Sequence, residues 1–368
     1  MQKCYFITDE RFVDEKSTEG GVKFCTLEFL HLFQEAYNVE LIKVSFRKDV
    51  SFKITAKLGI DVYNLYSDTD FLKSLENLTV TEPVIFAFNM TQTMSLTKIV
   101  KEKYGDFAKV IMLSHGNESG DFVHTFTRFN KSQSFIKRLT SSYKLGRLLK
   151  KEASFKKDYI DLVLTVSDIE QSIDKWLNAK QSMTVPRVIS KVPIQHSPIK
   201  GRIGFIGDMS HYPNFHAIDM LAKELAAKKI AVDLVLIGNG GKILAEKYPF
   251  IQSLGFLEEK ELHKEVGSWA LFLNLAFYYS RGVSTKLGKA LGLGLPILST
   301  SIGNRGYEWK KGNMLIGDTP IAIAELIRAN AFDEAKINYA LYQTELIANS
   351  SPTYADILER LIPIIKSL

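Results

Sequence analysis

Arg281 and Lys286 stand five residues apart in the segment RGVSTK, with Gly282, Val283, Ser284 and Thr285 between them. Two cations around a glycine turn suit a phosphate, because the glycine lets backbone amides approach an anion closely. A second set of reactive types begins at His115 and continues through Asn117, Glu118 and Asp121, in a stretch too polar to be core. His115 reads either as a satisfied structural histidine or as a ligand contact, and Glu118 or Asp121 could polarise a hydroxyl; Asp121 and His124 are the weaker candidates. The pair Gly20-Gly21 is either an amide cradle or a tight turn requiring positive φ.

The elements that must position these groups follow from hydrophobic patterning. Leu271–Ala276 is continuously apolar, as a buried parallel strand is. Ser284 or Thr285 is placed to cap a helix of about ten residues, which Gly294 and Pro296 end. Ile297–Thr300 then enters another strand. The cationic segment therefore sits at the carboxyl end of a parallel strand and at a helix N-terminus, where open α/β sheets bind anionic ligands. His115 likewise ends a predicted strand, Lys109–Ser114.

The rest of the first half alternates strands and helices, which implies a parallel sheet. Strands are expected at Lys3–Thr8, Val39–Phe46, Val62–Tyr66, Val84–Asn89 and Asp161–Ser167, with an amphipathic helix at Val22–Tyr37 after a loop at 17–21. Val192–Lys200, with two prolines, marks a linker. Beyond it come strand 202–207, helix 213–228, strand 232–238, a short strand near 251–256 and helix 258–267. Helices near 320–329, 333–348 and 352–367 close the chain. Asp208 and Asn214 flank the turn before the helix at Pro213, as caps or as ligand contacts.

The order of these motifs resembles the donor segment of retaining glycosyltransferases of family 4 (group 1 type), which have the GT-B architecture. The resemblance is carried by RGxxxK, the helix, G-x-P-I-L-S-T and the following G-x-x-G, and it extends upstream. RIGFIGDMSHYPN resembles the strand and turn that open the family's second domain, VDLVLIGNG its second strand, and LGFL its nucleobase-side segment. It implies a nucleotide diphosphate sugar donor on Gly20, Gly21, Gly207, Gly238, Gly255, Phe256, Leu257, Gly282, Val283, Ser284, Thr285 and Lys289. His115, Arg281 and Lys286 would then be catalytic, with Asn117, Glu118 and Asp121 on the acceptor side. One departure is plain. The family's two glutamates, eight positions apart, fall at Arg281 and Lys289, and a lysine accepts no hydrogen bond from ribose. Lys289 either meets a further negative group on the donor or lies on the exposed helix face.

The expected fold class is therefore α/β, GT-B, with two Rossmann-like parallel-sheet domains facing a cleft. The expected domains are 1–195 for the acceptor, 196–350 for the donor, and a terminal helix, 351–368, returning to the first. A length of 368 residues suits two cores. No signal peptide or span of about 18 apolar residues is read, and two cysteines fit a reducing cytoplasm. No Cys/His spacing suggests zinc, no DxD-type signature stands in the cleft segments, and no metal or cofactor is expected.

Residues 128–157 are rich in lysine and arginine, with Glu152 the one carboxylate among them. They read as an interfacial segment on anionic lipid, or as a helix whose apolar stripe (Phe135, Ile136, Leu139, Tyr143, Leu148 and Leu149) packs on the sheet. No nucleic-acid motif accompanies this charge. The resemblance favours the membrane and a glycan or lipid-linked acceptor in polysaccharide or glycolipid assembly. A nucleotide-sugar epimerase and a non-catalytic binding subunit are the alternatives.

Overall fold

A computed structural model describes residues 2–14, 20–47, 49–57, 63–129, 135–279 and 281–368. Two compact units emerge. The first comprises Met1–Pro186, Ser280–Gly282 and Tyr354–Leu368, and the second Arg187–Tyr279 and Val283–Thr353.

In the first unit, β1 (Lys3–Asp9), β2 (Asn38–Val44), β3 (Val84–Asn89), β4 (Ala108–Ser114), β5 (Leu162–Thr165) and β6 (Ser182–Thr184) form one sheet ordered β2-β1-β3-β4-β5-β6. Every pairing is parallel. Every residue of β3 is buried, which explains why Val84–Phe88 is an unbroken apolar run rather than an alternating one. The terminal helix Tyr354–Lys366 belongs to this unit and buries Ile357, Leu361 and Ile365, four residues apart along one face.

In the second unit, β7 (Ile199–Ile206), β8 (Asp233–Ile237), β9 (Ile251–Gly255), β10 (Trp269–Asn274), β11 (Ile297–Ser299) and β12 (Leu315–Ile316) are ordered β12-β11-β10-β7-β8-β9. This sheet too is parallel throughout. The chain winds one way from β7 and the other way from β10, so the loops after these two strands flank a switch point. Gly204 on β7 faces Trp269 on β10 so closely that a Cβ would lie 2.2 Å from the indole. Arg202 joins Glu265 and Asp233, and the Trp269 indole N–H donates to Glu265 at 2.9 Å.

Several expectations need correction. No strand forms at 63–66: Tyr66 makes one isolated bridge to Phe46, and Val62 lies outside the described residues. Tyr63 and Tyr66 are buried because their hydroxyls reach acidic partners, Glu152 and Asp9. The apolar stripe of the basic segment does not pack as a whole. In the helix Phe135–Asp158, Leu148 is buried, but Leu139 and Tyr143 are 62% and 54% exposed. Glu152 and Lys156 on the same helix are fully buried instead. The Phe135 and Ile136 side chains, residues 130–134 and loop residues 17–19 lie outside the described residues. Among the described residues, no helix is long and apolar enough to cross a membrane.

Candidate active site

In the second unit the loop after β10 leads into the helix Thr285–Leu293, ended by Gly294 in the left-handed region. Ser284 occupies the cap position, yet its hydroxyl does not cap. It donates to Asn274 Oδ1 at 2.6 Å, and no first-turn amide bonds to it. Lys286 lies half-buried in that first turn. Its Nζ donates to Asn214 Oδ1 at 2.7 Å and sits 4.4 Å from the centre of the Phe205 ring. The N-terminal turns of the helices that follow β7 and β10 thus meet through Asn214 and Lys286. Burial lowers its pKa from the ordinary 10.5 to about 8, with no carboxylate partner among the described residues to oppose the shift. A charged ammonium held in a poorly solvated place is suited to an incoming anion.

Asn214 and Asp208 do not cap the following helix, whose cap is His211. Asp208 accepts from the Ser210 amide, and Asn214 Nδ2 donates to the Asp208 carbonyl. Asn214 is therefore held in the orientation that presents its oxygen to Lys286. Gly238 has φ +122, and a Cβ there would lie 2.4 Å from the Gly207 carbonyl, so the turns after β7 and β8 are in contact only because no side chain intervenes. Gly255 also has positive φ but faces open space. Phe256, the next residue, is 78% exposed, and Leu257 is half-buried. Val283 and Thr285 are half-buried, and Lys289 lies exposed on the outer face of the helix. Among the described residues no group of three or more His, Cys, Asp or Glu side chains is placed to hold a metal.

In the first unit His115 follows β4 and bonds Asn89, which ends β3. Asn89 Nδ2 donates to the Thr8 and Thr26 hydroxyls at 2.9 Å each, leaving its oxygen to accept from His115 Nε2 at 2.9 Å. With Asn89 in this orientation, the proton of the neutral imidazole is on Nε2. Asn117 is fully buried and spent on structure: it donates to Asp174 at 2.9 Å and accepts from Lys156 at 2.5 Å. It is not exposed to a ligand, which corrects its expected acceptor-side place. Glu118 and Asp121 both bind Arg281. The Arg281 Nη1 reaches Glu118, its Nε lies 2.7 Å from Asp121, and its backbone N–H donates to Asp121 at 3.1 Å.

Burial would lower the Arg281 pKa, but Glu118 and Asp121 outweigh it and hold the guanidinium above its ordinary value. Its charge is therefore locally balanced, not mobile. Gly282, at φ +77, donates to Glu170 at 3.1 Å. Gly20 is extended and Gly21 helical, so neither has the positive φ that a tight turn would require.

The sequence reading missed the buried polar groups of this unit. Glu152 accepts from Tyr63, from the Ser119 hydroxyl at 2.5 Å and from the Ser119 amide at 3.0 Å, which caps the helix Glu118–Phe129 from a distant element. Lys156 and Asp174, both fully buried, pair at 2.5 Å. The isolation of Glu152 among cations was the one visible signal.

Residues 200–330 match the family model of glycosyl transferases group 1. None of the curated proteins matches the chain. Among solved structures the chain is similar to sucrose-phosphate synthase from Thermosynechococcus elongatus, at 12% identity and a TM-score of 0.66, covering 100% of this chain and 99% of that one. It is also similar to an E. coli trehalose-6-phosphate structure bound with UDP-2-fluoro glucose, at 10% identity and a TM-score of 0.59, covering 100% and 99%. A third is the S. aureus TarM structure in complex with fondaparinux, alpha-GlcNAc-glycerol and UDP, at 13% identity and a TM-score of 0.54, covering 80% of this chain and 58% of that one. At such identities the likeness is one of fold. The fold class is α/β of the GT-B type, with two six-stranded parallel sheets.

Proposed function

We propose that the chain is a retaining glycosyltransferase. It would move a sugar from a nucleotide diphosphate sugar to a glycan or lipid-linked acceptor in the assembly of a cell-surface polysaccharide or glycolipid. The observation that carries this reading is Lys286, an ammonium without a carboxylate partner among the described residues, in the first turn of a helix after a switch-point strand. The family match over 200–330 supports it.

Breaking the glycosidic bond leaves charge on the β-phosphate. Lys286, the first-turn amides and the helix dipole would stabilise that charge, and losing one such group costs about 3 kcal/mol of barrier. Lys286 supplies the positive charge that a divalent cation supplies elsewhere, so the reaction is read as metal-independent. On the acceptor side Asp121 and Glu118, held by Arg281, are the carboxylates nearest in sequence to His115. The exposed Leu139 and Tyr143, on the same helix as the exposed Arg138, Lys150 and Lys157, fit an anionic membrane surface, which supports a peripheral, cytoplasmic-face location.

The test is a thermal-shift panel of UDP, GDP, CMP and dTDP on the wild type and Lys286→Ala. Stabilisation of the wild type by one diphosphate, lost in the variant, supports the reading and names the donor class. If none stabilises the wild type, the donor site is wrong. Binding without turnover of any nucleotide sugar would make the chain a nucleotide-binding subunit instead.

A further inference from the structure

We infer that Tyr307 is a positioning residue that aims the Thr285 amide at the leaving phosphate, an inference that rests on the donor-site reading above. Tyr307 lies 8% exposed after β11, and its hydroxyl sits inside the first turn of the helix Thr285–Leu293. It accepts from the Gly288 N–H at 2.9 Å and donates to the Ser284 carbonyl at 2.8 Å. Those two groups are four residues apart and would ordinarily bond each other. Here the hydroxyl is inserted between them, and the carbonyl keeps only a tighter bond from the Leu287 amide, at 3.1 Å.

The insertion sets a direction. The Ser284 carbonyl and the Thr285 N–H belong to one planar peptide unit and point opposite ways. Fixing the carbonyl toward the helix interior turns the Thr285 N–H outward, past the helix N-terminus. Ser284 is gripped a second time through its side chain by Asn274, which is itself anchored to Ser299 and to the Gly303 carbonyl at 2.9 Å each. Gly288 completes the arrangement, since a Cβ there would lie 2.8 Å from the Tyr307 oxygen. Residues 288 and 307 are therefore a matched pair.

The experiment measures nucleotide-sugar turnover and calorimetric pyrophosphate binding in the wild type, Tyr307→Phe, Gly288→Ala and the double variant. Tyr307→Phe is expected to lower kcat about tenfold with donor KM within about threefold, because the amide acts most on charge that develops in the transition state. Pyrophosphate should bind about fivefold more weakly. Gly288→Ala should be as harmful in the wild type yet nearly silent beside Tyr307→Phe, where the oxygen it meets is gone. A merely structural tyrosine would leave kcat and pyrophosphate binding unaltered once the protein is folded, since the coupling of the two substitutions follows from their contact alone.

If Tyr307→Phe leaves both kcat and pyrophosphate binding within twofold of wild type, the inference is overturned while glycosyl transfer stands. If no nucleotide sugar is turned over but Tyr307→Phe still weakens pyrophosphate binding about fivefold, the positioning role stands and the transfer reading falls. A wild type that neither turns over nor binds pyrophosphate overturns both.

Discussion

Lys286→Met offers a test in which stability and binding must move in opposite directions. The folded protein holds this amine at a pKa of about 8 against an ordinary 10.5, because burial disfavours the charged form. Each unit is worth about 1.4 kcal/mol, and with a discount for partial exposure the protonated side chain costs about 2 kcal/mol. Methionine removes that cost and keeps the stem, but forfeits the bond to Asn214, worth about 1 kcal/mol. The net gain of about 1 kcal/mol raises Tm by about 2–4 °C at pH 7.

Since the folded pKa is the lower one, the unfolded chain binds the proton more tightly, and wild-type stability rises as pH climbs from about 8 to about 10.5. The variant should therefore be the more stable protein below pH 8 and the less stable near pH 10. Diphosphate binding, which favours the ammonium, should be strongest below pH 8 and weaken above it, and in the variant the loss should be about 100-fold. Differential scanning fluorimetry across pH, with and without UDP, reads all three. A variant that is less stable than wild type at every pH, or that keeps UDP stabilisation, refutes the reasoning.

Lys156→Met should destabilise the first unit by about 3–5 kcal/mol in urea unfolding, because it strands the fully buried Asp174 carboxylate; adding Asp174→Leu should recover much of that loss, and no recovery would count against the pairing. Gly238→Ala should cost several kcal/mol and abolish diphosphate binding, since its Cβ would meet the Gly207 carbonyl, whereas Gly255→Ala should cost only about 1 kcal/mol for its positive φ. Equal costs for the two glycines would contradict that distinction. Turnover should survive EDTA at millimolar excess, and its loss, restored by added divalent cation, would contradict the role given to Lys286.

Much of the sheet was legible because buried parallel strands carry short apolar runs such as Val84–Phe88, whose length and β-branched and aromatic content set them apart from a buried helix. The two-residue β12 and three-residue β6 left no such trace, being too short to show a period. Tyr63 and Tyr66 misled for a different reason: an aromatic buried by a hydroxyl partner looks the same in sequence as one buried in a strand. At the site, the expectation of an anionic ligand at Lys286 follows from its place in the first turn of a helix. The neutralisation of Arg281 does not, since Glu118 and Asp121 lie about 160 positions earlier and nothing local links them. The same holds for Ser284, whose type and position announce a cap but whose hydroxyl is taken by Asn274.

The contact between Gly204 and Trp269 bears on how this sequence can drift. The indole lies where any side chain at 204 would stand, its N–H is tied to Glu265, and Glu265 shares Arg202 with Asp233. Five positions on neighbouring elements are thus linked in one chain of steric and ionic dependence. A larger residue at 204 or the loss of one charge at 202, 233 or 265 disturbs its neighbours, so substitutions there are expected to arrive in sets. Among relatives, these five should be inherited together or replaced together, and a lineage carrying part of the set would mark a transition caught midway.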